Sequence, residues 1–296
     1  MLHCSKITTA LFLGFAFISI SQTKNAEDSK YTFKKIYHLD NTPVESQGNA
    51  GTCWSFSALS FLESELMRLR KRKPSELSEM YIVRKAYELK ADKFIRMDGK
   101  INFGEGGAFH DVPLVIKNFG IVPKDAYNTN FNEIKGYDHA TLFKDINDYM
   151  QKLLAQVGTP KGLDLSWKKE YNQILDKYFG EDLQKFKWEE ETYSPKTYAE
   201  SIGLVMDNYV SLTSFSNHPM HEKCLLEIPD NWAWGESYNV ELEELFTTCE
   251  SALKNGFTIA WGADVSEKGF SFKNGIALVP ENSAAIEVEG KDEKNY

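Results

Sequence analysis

Apolar residues recur along this chain at spacings that predict a succession of helices. Trp54, Ala58, Leu59, Phe61, Leu62, Leu66, Met67 and Leu69 fall on one helical stripe, while Glu63, Glu65, Arg68 and Arg70 fall on other faces. Such a pattern predicts an amphipathic helix that starts near Cys53, and Pro74 predicts its end. Ser78 is a suitable N-cap for a second helix running to about Phe94. A third helix is expected over Phe109 to Phe119. From about Asn128 to Tyr193 the chain is polar and rich in Lys and Glu, and Leu142, Phe143, Ile146, Tyr149, Leu153 and Leu154 mark an amphipathic helix within it. Ser194-Pro195 opens another capped helix, and Glu241 to Leu253 is a further one, ended by Asn255-Gly256. Three stretches read as strands: Tyr31 to Leu39, which runs into the turn signal Asn41-Thr42-Pro43; Tyr209 to Leu212; and Phe257 to Val265, expected to be buried.

The N-terminus has a different pattern. Lys6 precedes an apolar run from Ala10 to Ile20, and Ser19 and Ser21 offer small residues at the −3 and −1 positions of a cleavage site. This is the shape of a signal peptide over residues 1–21. The apolar run is too short for a comfortable membrane span, and a retained anchor is the alternative. The expected location is therefore secreted or periplasmic.

Composition narrows the classes that remain. The chain has 296 residues, 42% hydrophobic and 26% charged, with a formal net charge of -9. It is globular, with enough length for one large domain or two lobes. An acidic surface argues against nucleic acid as a partner. The runs Arg68 to Lys73 and Glu189-Glu190-Glu191 read as solvated charge. Of the cysteines Cys4, Cys53, Cys224 and Cys249, three remain once the leader is removed, so at least one is unpaired. Cys224 and Cys249 are either a disulfide or two free thiols, the second being favoured. No Cys/His spacing matches a zinc site, and no cofactor is expected.

The chemistry concentrates in Gln47-Gly48-Asn49-Ala50-Gly51-Thr52-Cys53-Trp54-Ser55. A cysteine at the start of a helix feels the positive end of the helix dipole, which favours the nucleophilic thiolate. Gln47, a short loop upstream, can donate its side-chain amide to a developing oxyanion, and the Cys53 N–H offers a second donor. Farther on, Gly104-Glu105-Gly106-Gly107 allows a second backbone to approach closely, and an extended peptide could pair with it.

These residues resemble the active-site segment of the papain-like cysteine peptidases, whose local signature is Cys-Gly-(Ser/Ala)-Cys-(Trp/Tyr). Here it reads Ala50-Gly51-Thr52-Cys53-Trp54, and loss of the first cysteine is typical of the bleomycin hydrolase and aminopeptidase C branch. Leu77-Ser78-Glu79, Gly106-Gly107, Gly120-Ile121-Val122-Pro123, Tyr127 and Asp264-Val265 continue the resemblance. It implies an α+β papain-like fold. The helical lobe would span 43–127, a helical insertion 128–200 and a β-rich lobe 201–296, after a lead-in of 22–42. It implies Cys53 as nucleophile, Gln47 as oxyanion donor, and Gly106, Gly107 and Trp54 as the peptide-substrate site. His110, on the helix after these glycines, reads as structural or surface and not as a general base. A homo-oligomer is implied as well, although these residues leave the oligomeric state open.

One part of the pattern is missing. The family's catalytic His and Asn follow the Asp264-Val265 strand, and this sequence has no histidine after Val265 and no Asn-Ser-Trp. A truncated enzyme of weak or no activity is expected, and the alternative is a secreted relative that binds peptides without cutting them. His218 and His221 are the remaining candidates for a replacement base.

Overall fold

The computed structural model describes residues 22–23, 31–70, 75–127, 129–131, 136–159, 162–164, 166–263, 265, 269–271 and 273–278. The expected signal peptide, residues 1–21, lies outside the described residues, as does Pro74. The chain divides into two compact units, one of Met1–His38 with Asp264–Glu293 and one centred on Leu39–Ala263. In the first unit, β1 (Gln22–Thr23) pairs antiparallel with β2 (Phe33–Lys34). Late in the chain β8 (Phe270–Ser271) pairs antiparallel with β9 (Ile276–Ala277), the numbers following chain order.

The second unit carries the predicted chemistry. It begins with α1 (Cys53–Arg70), α2 (Glu79–Arg96) and α3 (Asp111–Phe119). The α2 helix is the centre of this part, packing against α1, α3, α4 (Ala140–Leu154) and α5 (Trp167–Phe179). Its start is set as expected, by the Ser78 side chain accepting from the Tyr81 N–H at 3.2 Å. A helix covered by four neighbours buries even its charged positions, and Arg84, Lys85 and Lys90 are all buried. Such groups need partners, since an uncompensated buried charge is costly. Arg84 donates to Asp176 Oδ1 and to the Gly180 carbonyl, each at 2.6 Å, tying α2 to the end of α5.

Glu63 departs from the face assigned to it by spacing. It is buried, accepting from the Thr42 hydroxyl at 2.5 Å and the Leu77 N–H at 2.7 Å. Two donors from segments distant in sequence replace the water it gives up.

The polar middle of the chain is not all helix. After α4 and α5 it forms a hairpin, β3 (Phe186–Trp188) with β4 (Glu191–Tyr193). The charge run at Glu189–Glu191 supplies the exposed turn, with Glu189 at φ 52°. Then α6 (Pro195–Ile202) opens on a capping box between Ser194 and Thr197, which satisfies two otherwise unpaired N-terminal donors. Gly120, just past α3, has φ 86°, and a Cβ there would lie 2.2 Å from the Pro195 backbone carbon. Only glycine allows that crossing, which the Ile121 N–H seals by donating to the Pro195 carbonyl at 3.1 Å.

The last part of the unit holds a three-stranded sheet of order β5–β7–β6, formed by Leu212–Thr213, Glu236–Asn239 and Lys223–Leu225. β5 runs parallel to β7 and β6 antiparallel to it. The strand expected over Tyr209 to Leu212 reduces to β5, because the chain enters it through a 3-10 turn at Met206–Asn208. The α7 helix (Leu242–Lys254) lies within a residue of its expected bounds but buries no residue. The buried strand expected over Phe257 to Val265 does not form among the described residues of that range, 257–263 and 265. The described residues there are irregular, with Phe257, Ile259, Trp261 and Val265 exposed. An apolar run of strand-like composition becomes a strand only when a second strand completes its hydrogen-bond ladder. Among the described residues none does.

Candidate active site

Cys53 is the first residue of α1 and its thiol is free and exposed. The Thr52 carbonyl accepts from the Ser55 N–H at 3.0 Å and so closes the first turn. The loop before the helix is drawn tight by Gln47, whose Nε2 donates to the Ala50 carbonyl at 2.8 Å. That bond holds the Gln47 amide across the loop that leads to Cys53.

The glycine-rich loop is fastened to this segment at two points by one residue. The Glu105 carboxylate accepts from the Gly51 N–H at 2.6 Å, and the Glu105 carbonyl accepts from the Trp54 indole at 3.1 Å. The first is a charge-assisted bond to backbone, among the stronger kinds. Trp54 is only 3% exposed, so its ring is a wall beneath the loop.

The glycines fit against that wall. A Cβ on Gly107 would lie 2.7 Å from Asp111 Oδ2 and 2.9 Å from Trp54 Cε2. A Cβ on Gly106 would lie 2.4 Å from Asp230 Oδ1. Behind them, Asp111 Oδ2 accepts from the Ala108 N–H at 3.0 Å and from the Trp232 indole at 2.8 Å. Burial pushes the Asp111 carboxyl upward, opposed by the Ala108 N–H and the positive charges around it. Asn231 locks the next loop. Its Nδ2 donates to the Leu226 and Gly235 carbonyls, while its Oδ1 accepts from the Gly235 N–H at 2.8 Å and pairs with His110 Nε2 at 2.7 Å. His110 thereby braces this loop from the residue just before α3.

Cys53, Trp54 and the Gly106–Gly107 loop are thus brought together through Glu105. Among the described residues no hydrogen bond joins a histidine to Cys53. His218 Nε2 lies 3.5 Å from Glu227 and His221 Nδ1 3.5 Å from Glu244, while His139 is buried with its Nδ1 3.1 Å from the Tyr87 hydroxyl. Cys224 and Cys249 are free thiols, the first buried and the second half-buried. A shallow surface groove lined by Thr247, Ser251, Asn255 and Phe257 on and after α7 contains none of these groups.

Residues 32–150 match the family described as papain family cysteine protease. Over that stretch the chain resembles the papain family. It is 24% identical over 263 residues to aminopeptidase G of Lactobacillus delbrueckii subsp. lactis, a match covering 77% of this chain and 60% of that protein. It is 25% identical over 300 residues to bleomycin hydrolase of Gallus gallus, covering 86% and 65%. The crystal structure of PepW from Lactobacillus rhamnosis superposes with a TM-score of 0.61 at 20% identity, over 75% of this chain and 58% of that one, and carries the same fold. The chain spans about 60% of the length of the curated relatives it matches.

Sequence reading missed Glu105, Lys90 and Asp111 as parts of the site. Lys90 carried a usable signal. It stands three residues from Tyr87 and four from Ala86 and Phe94, on an apolar helical stripe where a solvated lysine does not belong. Glu105 carried none, because its partners are Gly51 and Trp54, more than 50 residues away.

Proposed function

We propose that this chain is built for cysteine-type aminopeptidase chemistry. The single observation that carries the reading is the exposed Cys53 thiol on the first turn of α1, joined through Glu105 to a glycine loop able to accept a peptide. No hydrogen bond links the N–H or carbonyl of Gly107 to another described residue, so both are free to pair with an extended substrate. In the reaction Cys53 Sγ bonds to the substrate carbonyl carbon while Gln47 and the Cys53 N–H stabilise the oxyanion. The C–N bond then breaks, the amine departs with the proton that the Cys53 thiol gave up, and water cleaves the thioester, releasing the acid and restoring the thiol. Restriction to N-terminal residues rests on the relatives' names, aminopeptidases of several kinds. Assembly into a homo-oligomer rests on the resemblance to the bleomycin hydrolase branch alone. Export is supported by the Met1 to Ser21 pattern alone, and N-terminal sequencing of the natural protein tests it.

A second reading is favoured by one observation, that no hydrogen bond joins a described histidine to Cys53. In it the chain captures peptides through the same loop without turning them over. Aminoacyl-fluorophore hydrolysis, measured beside labelling by an epoxysuccinyl-leucyl amide, separates the two. Labelling with hydrolysis, both lost in Cys53→Ala, supports the peptidase. Labelling without hydrolysis supports the binder. Failure of the peptidyl reagent to label Cys53 faster than iodoacetamide overturns both.

A further inference from the structure

Lys90 is 1% exposed in the middle of α2, and its ammonium donates to the carbonyls of Gly104 at 2.7 Å and Gly106 at 2.6 Å. It lies over the Trp232 ring at 5.5 Å and the Tyr87 ring at 5.8 Å. No carboxylate lies within ion-pair distance of Nζ among the described residues; Asp111, Asp230 and Glu105 act on it from farther away. Burying a lysine is costly. This one directs its donors at two main-chain oxygens of a single loop, two positions apart, the second belonging to the residue immediately before Gly107. A lysine kept only to balance buried acid would be expected to contact the acid. These contacts instead fix the direction of the two peptide groups that lead into Gly107.

We propose that Lys90 is a positioning residue for peptide recognition, holding the Gly104–Gly106 backbone so that the Gly107 N–H and carbonyl face an incoming peptide near Cys53. The inference rests on the peptide-binding reading given above. With Lys90 in place the loop arrives already shaped, and a peptide does not have to order it. Without it, the two carbonyls lose their donors and the loop relaxes around the Gly107 peptide.

The test uses the full chain and two reagents for the same thiol. Iodoacetamide needs only an accessible Cys53, whereas the epoxysuccinyl-leucyl amide also needs the glycine backbone in register. Lys90→Met removes the charge and donors and keeps the length of the side chain. The expected result is a fall of about tenfold in the peptidyl-to-iodoacetamide rate ratio, the scale of one lost charged hydrogen bond, with the iodoacetamide rate unchanged. Lys90→Gln, which keeps an amide donor, is expected to recover part of the ratio. If the wild type shows no preference for the peptidyl reagent, the peptide-binding reading itself fails. If the wild type shows the preference and Lys90→Met retains it, the reading stands and the role of Lys90 is refuted. If neither variant folds by circular dichroism, the proposal is also overturned, since Lys90 would then serve the fold as a whole.

Discussion

Replacing Gly107 by alanine tests the geometry on which the site depends. The added Cβ would meet Asp111 Oδ2 at 2.7 Å, Trp54 Cε2 at 2.9 Å and Trp54 Cδ2 at 3.0 Å. Neither neighbour can step aside cheaply. Trp54 is 3% exposed with its indole bonded to Glu105, and Asp111 is fully buried with its Oδ2 bonded to Trp232 and Ala108. The loop must move, and overpacking of this kind costs about 1–3 kcal/mol. With a urea m-value of about 3 kcal/mol/M, a cost of about 2 kcal/mol lowers the unfolding midpoint by roughly 0.7 M. Gly104→Ala is the control. It lies in the same loop, its nearest atom is the tip of the Asn102 side chain at 3.4 Å, and its effect is expected to stay within about 0.5 kcal/mol. Urea unfolding followed by tryptophan fluorescence reads both variants. Equal midpoints for Gly107→Ala and the wild type would refute the close approach of loop, indole and carboxylate described above.

Two further outcomes follow from buried polar groups. Asn231→Ala removes a side chain that makes four hydrogen bonds around the loop Leu226–Gly235 and to His110. It is expected to destabilise by about 2–4 kcal/mol by urea unfolding, at the upper end for single substitutions, and a loss under 0.5 kcal/mol would show that the loop is held otherwise. Burial lowers the pKa of His139 to about 4, the Asp138 charge opposing. As pH falls from about 6.5 to about 4, only the unfolded chain takes up that proton, so the folded state loses stability, by about 3 kcal/mol at the bottom of the window. His139→Gln should flatten the stability–pH curve in that interval, and parallel curves for variant and wild type would refute the assignment.

Features legible in the amino-acid order alone are local or periodic. The start of α1 at Cys53, the Ser78 cap, the capped start of α6 at Ser194-Pro195 and the end of α7 at Asn255-Gly256 are legible because each depends on residues within a turn or two of one another. The Gln47–Cys53 loop and the Gly106–Gly107 pair stand out in the sequence for the same reason, as short motifs carried by neighbours in the chain. The tertiary structure decided which of these pieces meet. Glu105 joins Gly51 and Trp54 across more than 50 residues, and Trp232 reaches Asp111 across 121. It also decided that Glu63 and Lys90 are buried, since a charged side chain leaves water only when donors or acceptors from elsewhere in the fold replace it. Phe257 to Val265 shows the same dependence in reverse. Its composition is that of a strand, but strand structure belongs to a pair of segments, and one segment alone does not contain it.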